Sequence, residues 1–301
     1  MRRPELWRSS RNLCLLTLST SFRQNGRQCQ QQGLHVTSIS SPAALGLLNA
    51  LRDLHAELMR RQPLLTGFAW FMLTLMLPTL VLYGLDDRTW RDVPIWAKSL
   101  KFMASTALFS ATTAWFIGLL PETFRNSRSM KRLAWTLVLT SSFEVGYISL
   151  QAALGQGSHH YVSDPLHAAL FGLMAVAAVM LTATQVVLAW WIARHSTSRH
   201  TVLTQAVVAG LVLTFLLATV SGFLLGGQQP PAGVGLPIVG WHIGGTDARP
   251  AHFLGVHAQQ LVPLAGLALM RCRLSHPSSW LAVVVLGYGL LWVLLVGMAL
   301  P

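Results

Sequence analysis

The chain has 301 residues, of which 11% are Asp, Glu, Lys or Arg and 52% are hydrophobic, with a mean hydropathy of +0.49. An ordinary soluble domain carries roughly 25% charged residues. So few charges cannot clothe a water-facing surface of this size, and so high an apolar content excludes a wholly disordered chain. The net charge of +12 raises nucleic acid as a partner. Yet 9 of the 22 basic residues lie in the first 61 positions and most others flank apolar segments. Membrane proteins set their orientation in this way, so the expected partner is the lipid bilayer and not nucleic acid. Cys14, Cys29 and Cys272 form neither a CxxC nor an even framework, which argues against a disulfide scaffold.

Residues 1–40 are basic and rich in Ser and Gln, and the run RQNGRQCQQQ cannot form a packed core. They read as a disordered basic tail or a presequence. Residues 41–61 open with Ser-Pro, a good N-cap followed by a favoured first helical residue. Ala44, Leu47, Leu48, Leu51, Leu54 and Leu58 then recur at helical spacing opposite charged residues, which predicts an amphipathic interfacial helix. Packing on a cytoplasmic loop is the alternative.

Residues 62–301 read as an all-α polytopic membrane bundle. Seven apolar stretches are each close to the ~20 residues that cross a bilayer, near 64–84, 99–120, 132–154, 167–193, 202–225, 252–271 and 280–299. Arg125, Arg128, Lys131 and Arg132 load the second connection, Arg194 and Arg199 the fourth, and Arg271 and Arg273 the sixth. The third connection has no Lys or Arg, and the fifth has only Arg249. The N-terminus is therefore expected in the cytoplasm and the C-terminus outside. The first connection breaks the pattern with Arg88, Arg91, Lys98 and Lys101, offset in part by Asp86, Asp87 and Asp92.

Glu144 is the one acid deep inside a span. A carboxylate there costs roughly 2.5–3.5 kcal/mol on insertion scales, so it must face protein or water or carry a proton. Tyr147 and Gln151 share its helix face. Six of the eleven histidines fall in two windows, His159, His160 and His167 in one, and His242, His252 and His257 in the other. Both windows are expected on the outer side. Imidazole and carboxylate are common ligands of zinc and iron, which makes His159, His160, Asp164, His167 and His252 candidates for a divalent metal. Small residues beside His167 and His257 also admit a haem. Glu144 and His257 are the expected catalytic groups. Lys98, Lys101, Gln151, Arg249 and Gln260 are the expected ligand-binding groups, forming a rim suited to a phosphate, a carboxylate or a lipid head group. On a regular helix His252 and His257 lie about 140° apart and cannot both point inward. The Gly- and Pro-rich fifth connection is expected to cover an outward-opening cavity faced by Glu144, His167 and His257.

The motifs IWAKSLKF, FEVGYISLQAALGQGSHHY and DARPAHFLGVHAQQLVP resemble those of a group of uncharacterised bacterial multi-pass integral membrane proteins. The resemblance spans about residues 60–300 and implies a bacterial inner membrane, but no activity. Seven-span zinc hydrolases of the ceramidase and adiponectin-receptor kind place an HxxxH pair in the last span; residues 280–301 contain no His.

Three functions stand at this point: a metal- or haem-dependent membrane enzyme, a proton-coupled transporter of a small solute or lipid, and a non-catalytic sensor or assembly factor. Orientation can be tested with single cysteines at positions 128 and 156 in a cysteine-free background. An impermeant thiol reagent should label position 156 and not 128 in intact cells; the reverse pattern overturns the orientation.

Overall fold

The computed structural model describes residues 42–233, 235–236, 240–243, 245–272 and 274–300. The expected tail at 1–40 and the expected cap Ser41 lie outside these residues. The architecture is an all-α helical bundle. Its elements are α1 (Pro42–Arg61), α2 (Pro63–Leu85), a small hairpin of β1 (Thr89–Trp90) and β2 (Val93–Pro94), α3 (Ala97–Ile117), α4 (Glu122–Arg125), α5 (Arg128–Ala153), α6 (Pro165–His195), α7 (Val202–Gly227), α8 (Arg249–Val256), α9 (Ala258–Arg271) and α10 (Pro277–Ala299). α3 packs on α2 and α5, α6 on α5 and α7, and α8, α9 and α10 on α7.

Their ends are fixed by side chains that the sequence supplies locally. Ser127 and Thr201 cap α5 and α7 by accepting from Met130 N and Thr204 N. Asp164 caps α6 by accepting from Leu166 N and His167 N, ahead of a Pro at the first turn. α5 ends when Gly155 takes φ +74°, Gln156 N reaching Gln151 O and Gly155 N reaching Ala152 O, the paired closure of a Schellman motif.

Among the described residues five helices are long and apolar enough to cross a membrane: α2, α5, α6, α7 and α10. The pair α8 and α9 makes a sixth if it counts as one bent span. The seventh expected span, α3, has the length at 21 residues but not the apolarity. Lys98, Lys101 and a series of Ser and Thr residues lower it. Those hydroxyls face protein: Ser99, Ser110 and Thr113 are fully buried. The lipid-crossing helices show the opposite pattern. Only 11% of the most apolar stretch of α10 and 17% of that of α6 is buried, and the outward residues are apolar, Leu166, Val176, Leu286 and Leu290 among them. A surface of this kind suits hydrocarbon and not water. The core is a cluster reaching from α2 to α7, with Leu65, Met72, Ile117, Leu137, Leu188 and Leu211 at its centre.

The expected single helix over 252–271 is corrected. It is broken at His257, and its two parts are bent by 58°. Pro263 has no N–H for the carbonyl of Gln259 and its ring crowds that carbonyl, which kinks a helix one turn upstream. Glycines seat both arms on α7. A Cβ on Gly255 would meet Ala218 N at 2.7 Å and Leu217 C at 2.8 Å, and one on Gly210 would meet Ala258 O at 2.9 Å. Gly255→Ala should therefore cost about 1–3 kcal/mol through overpacking against backbone. Gly146→Ala, with open space around it, should be neutral or stabilising. Thermal unfolding of the two variants in detergent checks the difference.

Candidate functional site

One end of the bundle gathers the chain's polar chemistry, and its scaffold starts at the close of α2. Asp86 accepts from Arg88 Nε and Nη2 and from Trp96 Nε1, and Arg88 Nη1 donates to Ala153 O. The Arg88 bonds, and then the Trp96 bond, hold the Asp86 carboxyl below the usual carboxylate range. Trp96 is thereby anchored at the start of α3, which fixes where Lys98 emerges. The hairpin turns through Arg91 (φ 52°) and Asp92 (φ 65°), the type I′ geometry of two-residue loops. Trp90 lies against Gly157, where a Cβ would meet the indole at 2.8 Å, and its ring meets Tyr161 edge-on. These contacts tie the first connection to the third. They also account for part of the basic first connection: Arg88 is paired with Asp86, and Lys98 turns into the protein.

Lys98 Nζ donates to Ser158 Oγ at 2.9 Å and lies 2.7 Å from His159 Nδ1, which is also 3.1 Å from Ser158 Oγ. An ammonium has only donors, so His159 Nδ1 accepts and the imidazole proton sits on Nε2. Burial, then the Lys98 charge, pushes the His159 imidazole well below its ordinary range, which agrees with this neutral tautomer. Phe102 and Phe171 flank the His159 ring at 6.2 and 6.0 Å. Lys98 also senses the charges of Arg249, Glu144 and Lys101. Glu144 Oε1 is buried and has no hydrogen-bond partner among the described residues. One helical turn on, Tyr147 OH accepts from Gln151 Nε2 of the following turn at 2.8 Å, both side chains being buried.

The other wall comes from the fifth connection and α8. Asp247, fully buried at its side chain, accepts from His242 N, Arg249 N, Arg249 Nε and Arg249 Nη2 at 2.7–3.0 Å. Burial works to raise the Asp247 carboxyl, but the Arg249 and backbone bonds outweigh it and the net shift is downward. His252 Nδ1 meets Ser221 Oγ at 3.2 Å. His257 meets Gln260, which donates to Thr112 of α3. The helix breaks at His257, so the regular-helix argument that separated His252 from His257 does not apply.

The expected residues thus divide. Lys98 contacts His159 and lies within electrostatic reach of Glu144, Lys101 and Arg249, while His257 and Gln260 pair at the bend. Asp164 and His167 pair together instead, Asp164 Oδ2 to His167 Nδ1 at 2.6 Å, as part of the α6 cap. His160, at φ 59°, packs on Phe171. Among the described residues no group of three His, Cys, Asp or Glu side chains is placed to hold a metal ion. Sequence reasoning missed Ser158, although GSHH put it beside His159. Two surface concavities lie away from the histidine windows, one of about 370 Å³ where α6 ends and α7 begins, lined by Arg199 and His200, and one of about 410 Å³ where α5 begins and α6 ends, lined by Arg132 and Trp191.

Compared with protein-family models, curated proteins and solved structures, the chain matches none.

Asp247→Ala leaves the Arg249 guanidinium and His242 N without their acceptor. It should cost about 3 kcal/mol or more, the scale for breaking a buried ion pair, read as a lowered unfolding temperature at neutral pH. Because the folded-state carboxyl is held low, the wild-type advantage is full above the ordinary carboxylate range. It should fade as pH falls through the folded-state value.

Proposed function

We propose that this integral membrane protein is a proton-coupled carrier of a small solute. The reading rests on one observation: the buried, unpartnered Glu144 oxygen inside the bundle, within electrostatic reach of the Lys98 ammonium. An ionisable group without a fixed partner at membrane depth is expensive and marks a proton or solute path more often than a structural clamp. Conversion between Glu144 carboxylate and carboxylic acid changes the charge facing Lys98 by one unit, and a solute whose binding depends on that charge moves in step with the proton.

In this reading α3 is a seventh span whose polar face is answered by protein, as its buried hydroxyls support. The basic connections then lie in the cytoplasm, and the polar site opens outward, in a bacterial inner membrane. α1 rests on the cytoplasmic surface of the bilayer. Leu47, Leu48, Leu51 and Leu54 are exposed along it, and Arg61 reaches over Trp115 to donate to its carbonyl. The metal- or haem-dependent enzyme is the weaker reading, because Asp164 and His167 are spent on the α6 cap and His159 and His252 already have polar partners.

Proteoliposomes enclosing a pH-sensitive dye test the proposal against a panel of external solutes. The wild type should move protons on addition of its solute, and Glu144→Gln should reduce that movement at least tenfold while unfolding at a similar temperature. Wild-type proton movement by a folded Glu144→Gln variant overturns the proposal, as does the absence of solute-dependent proton movement across the panel.

A further inference from the structure

We infer that the groove between the start of α5 and the end of α6 binds one acidic phospholipid, its phosphate held at Arg132 and an acyl chain laid along the groove. This surface is separate from Glu144 and Lys98, and the inference does not depend on the carrier reading. The shape comes first. The groove has a volume of about 410 Å³ and is lined on α5 from Ser129 to Thr136 and on α6 from Met180 to Trp191. The lining residues recur at helical spacing, so each helix gives the groove one face. Leu133 and Thr184 are buried, while Met180 and Val187 are exposed, which makes a floor between the helices and an opening away from the bundle. The Thr184 hydroxyl donates to Leu181 O at 2.6 Å and accepts from Gln185 Nε2 at 2.9 Å, so the floor is apolar in effect. At 1.5 Å per residue the α6 wall runs about 16 Å from Trp191 to Met180. That is about half of the ~30 Å hydrocarbon thickness, the depth of one leaflet and of the acyl chain within it.

The mouth selects the head group. A hydrocarbon chain gains little by exchanging lipid for a groove of apolar side chains, so the choice among lipids falls to the polar end. Ser129, Arg132 and Trp191 line that end. No described carboxylate forms an ion pair with Arg132, nor with Arg128, Lys131 or Arg194 beside it. Over residues 122–132 the basic residues Arg125, Arg128, Lys131 and Arg132 stand against one acid, Glu122. A guanidinium holds a phosphate through two parallel N–H bonds, and the Ser129 hydroxyl adds a donor. Trp191 is braced by Phe124 of α4, the rings edge-on at 5.2 Å, and an indole suits the head-group level of a bilayer. Basic pockets between membrane-crossing helices take acidic lipid head groups by this chemistry. A free phosphate would use the arginine and leave the apolar length of the groove empty; a phospholipid fills both.

Native mass spectrometry tests this on the full chain, freed of lipid in a maltoside detergent. Dioleoyl phosphatidylglycerol and dioleoyl phosphatidylcholine are the probes, alike in their chains and different in charge. The wild type should bind one phosphatidylglycerol at a concentration at least tenfold below that needed for phosphatidylcholine. Arg132→Gln should bring phosphatidylglycerol to the level of phosphatidylcholine. Ala183→Phe fills the groove and leaves the charges in place; it should weaken phosphatidylglycerol at least fivefold. If that variant does not fold, Val187→Trp at the exposed rim carries the same expectation. Equal binding of the two lipids by the wild type means annular lipid only and overturns the inference. Undiminished phosphatidylglycerol binding by folded Arg132→Gln, or by a folded groove-filled variant, does the same. Glycerol 1-phosphate, a head group without chains, should not displace the lipid at equal concentration; displacement identifies a free phosphate as the ligand and overturns the lipid. A dimer that forms without lipid and is lost in the groove-filled variant assigns the groove to a second copy of the chain, which also overturns it.

Discussion

The position of the Lys98 ammonium governs the rest of the molecule. A charge packed among apolar helices has to be answered by protein, since apolar side chains offer neither counter-charge nor hydrogen bonds. Ser158 and His159 answer it from a connection 60 and 61 residues away. That connection is in turn held by Trp90 against Gly157 and by Arg88 on Ala153. The hairpin, the end of α5 and the start of α3 are therefore parts of one cap. Among the described residues this cap holds the Lys98 side chain against Ser158 and the His159 ring.

The bend at His257 supplies the opposite wall. With no hydrophobic force drawing helices together in lipid, close backbone packing has to do so. Gly255 and Gly210 allow α8 and α9 to approach α7 more nearly than any side chain would permit. On the two sides of the break His252 meets Ser221 of α7 and His257 meets Gln260. The Asp247 and Arg249 pair locks the fifth connection onto the start of α8 at the same place.

Composition and periodicity revealed the helices well, because apolar runs of the right length admit few other structures in a long chain. The ends of the membrane-crossing runs fell within a few residues, as with 202–225 against Val202–Gly227. α3 was harder to classify: two lysines and a series of hydroxyls, Ser99, Ser110 and Thr113 among them buried against protein, lower the hydropathy by which spans are recognised. The break at His257 was missed because periodicity assumes a regular helix, although Pro263 was in view. At the site, Lys98, Glu144 and Arg249 were legible as charges where charges are costly. Ser158 was not, since a serine in a loop carries no such signal. The histidine windows suggested a metal because spacing alone cannot show that Asp164 spends both its oxygens on the α6 cap and on His167.

The distance along the chain between Lys98 and its partners bears on how the protein enters the membrane. A polytopic chain is delivered to the bilayer in order of synthesis. α3, too polar to settle in lipid unaided, emerges before α5, the third connection and α8 have been made. Lys98 has neither Ser158 nor His159 to bond until the third connection arrives, and Thr112 waits for Gln260, 148 residues downstream. α3 is therefore the segment that the insertion machinery has to shelter longest, and the site closes only when nearly the whole chain has left the ribosome.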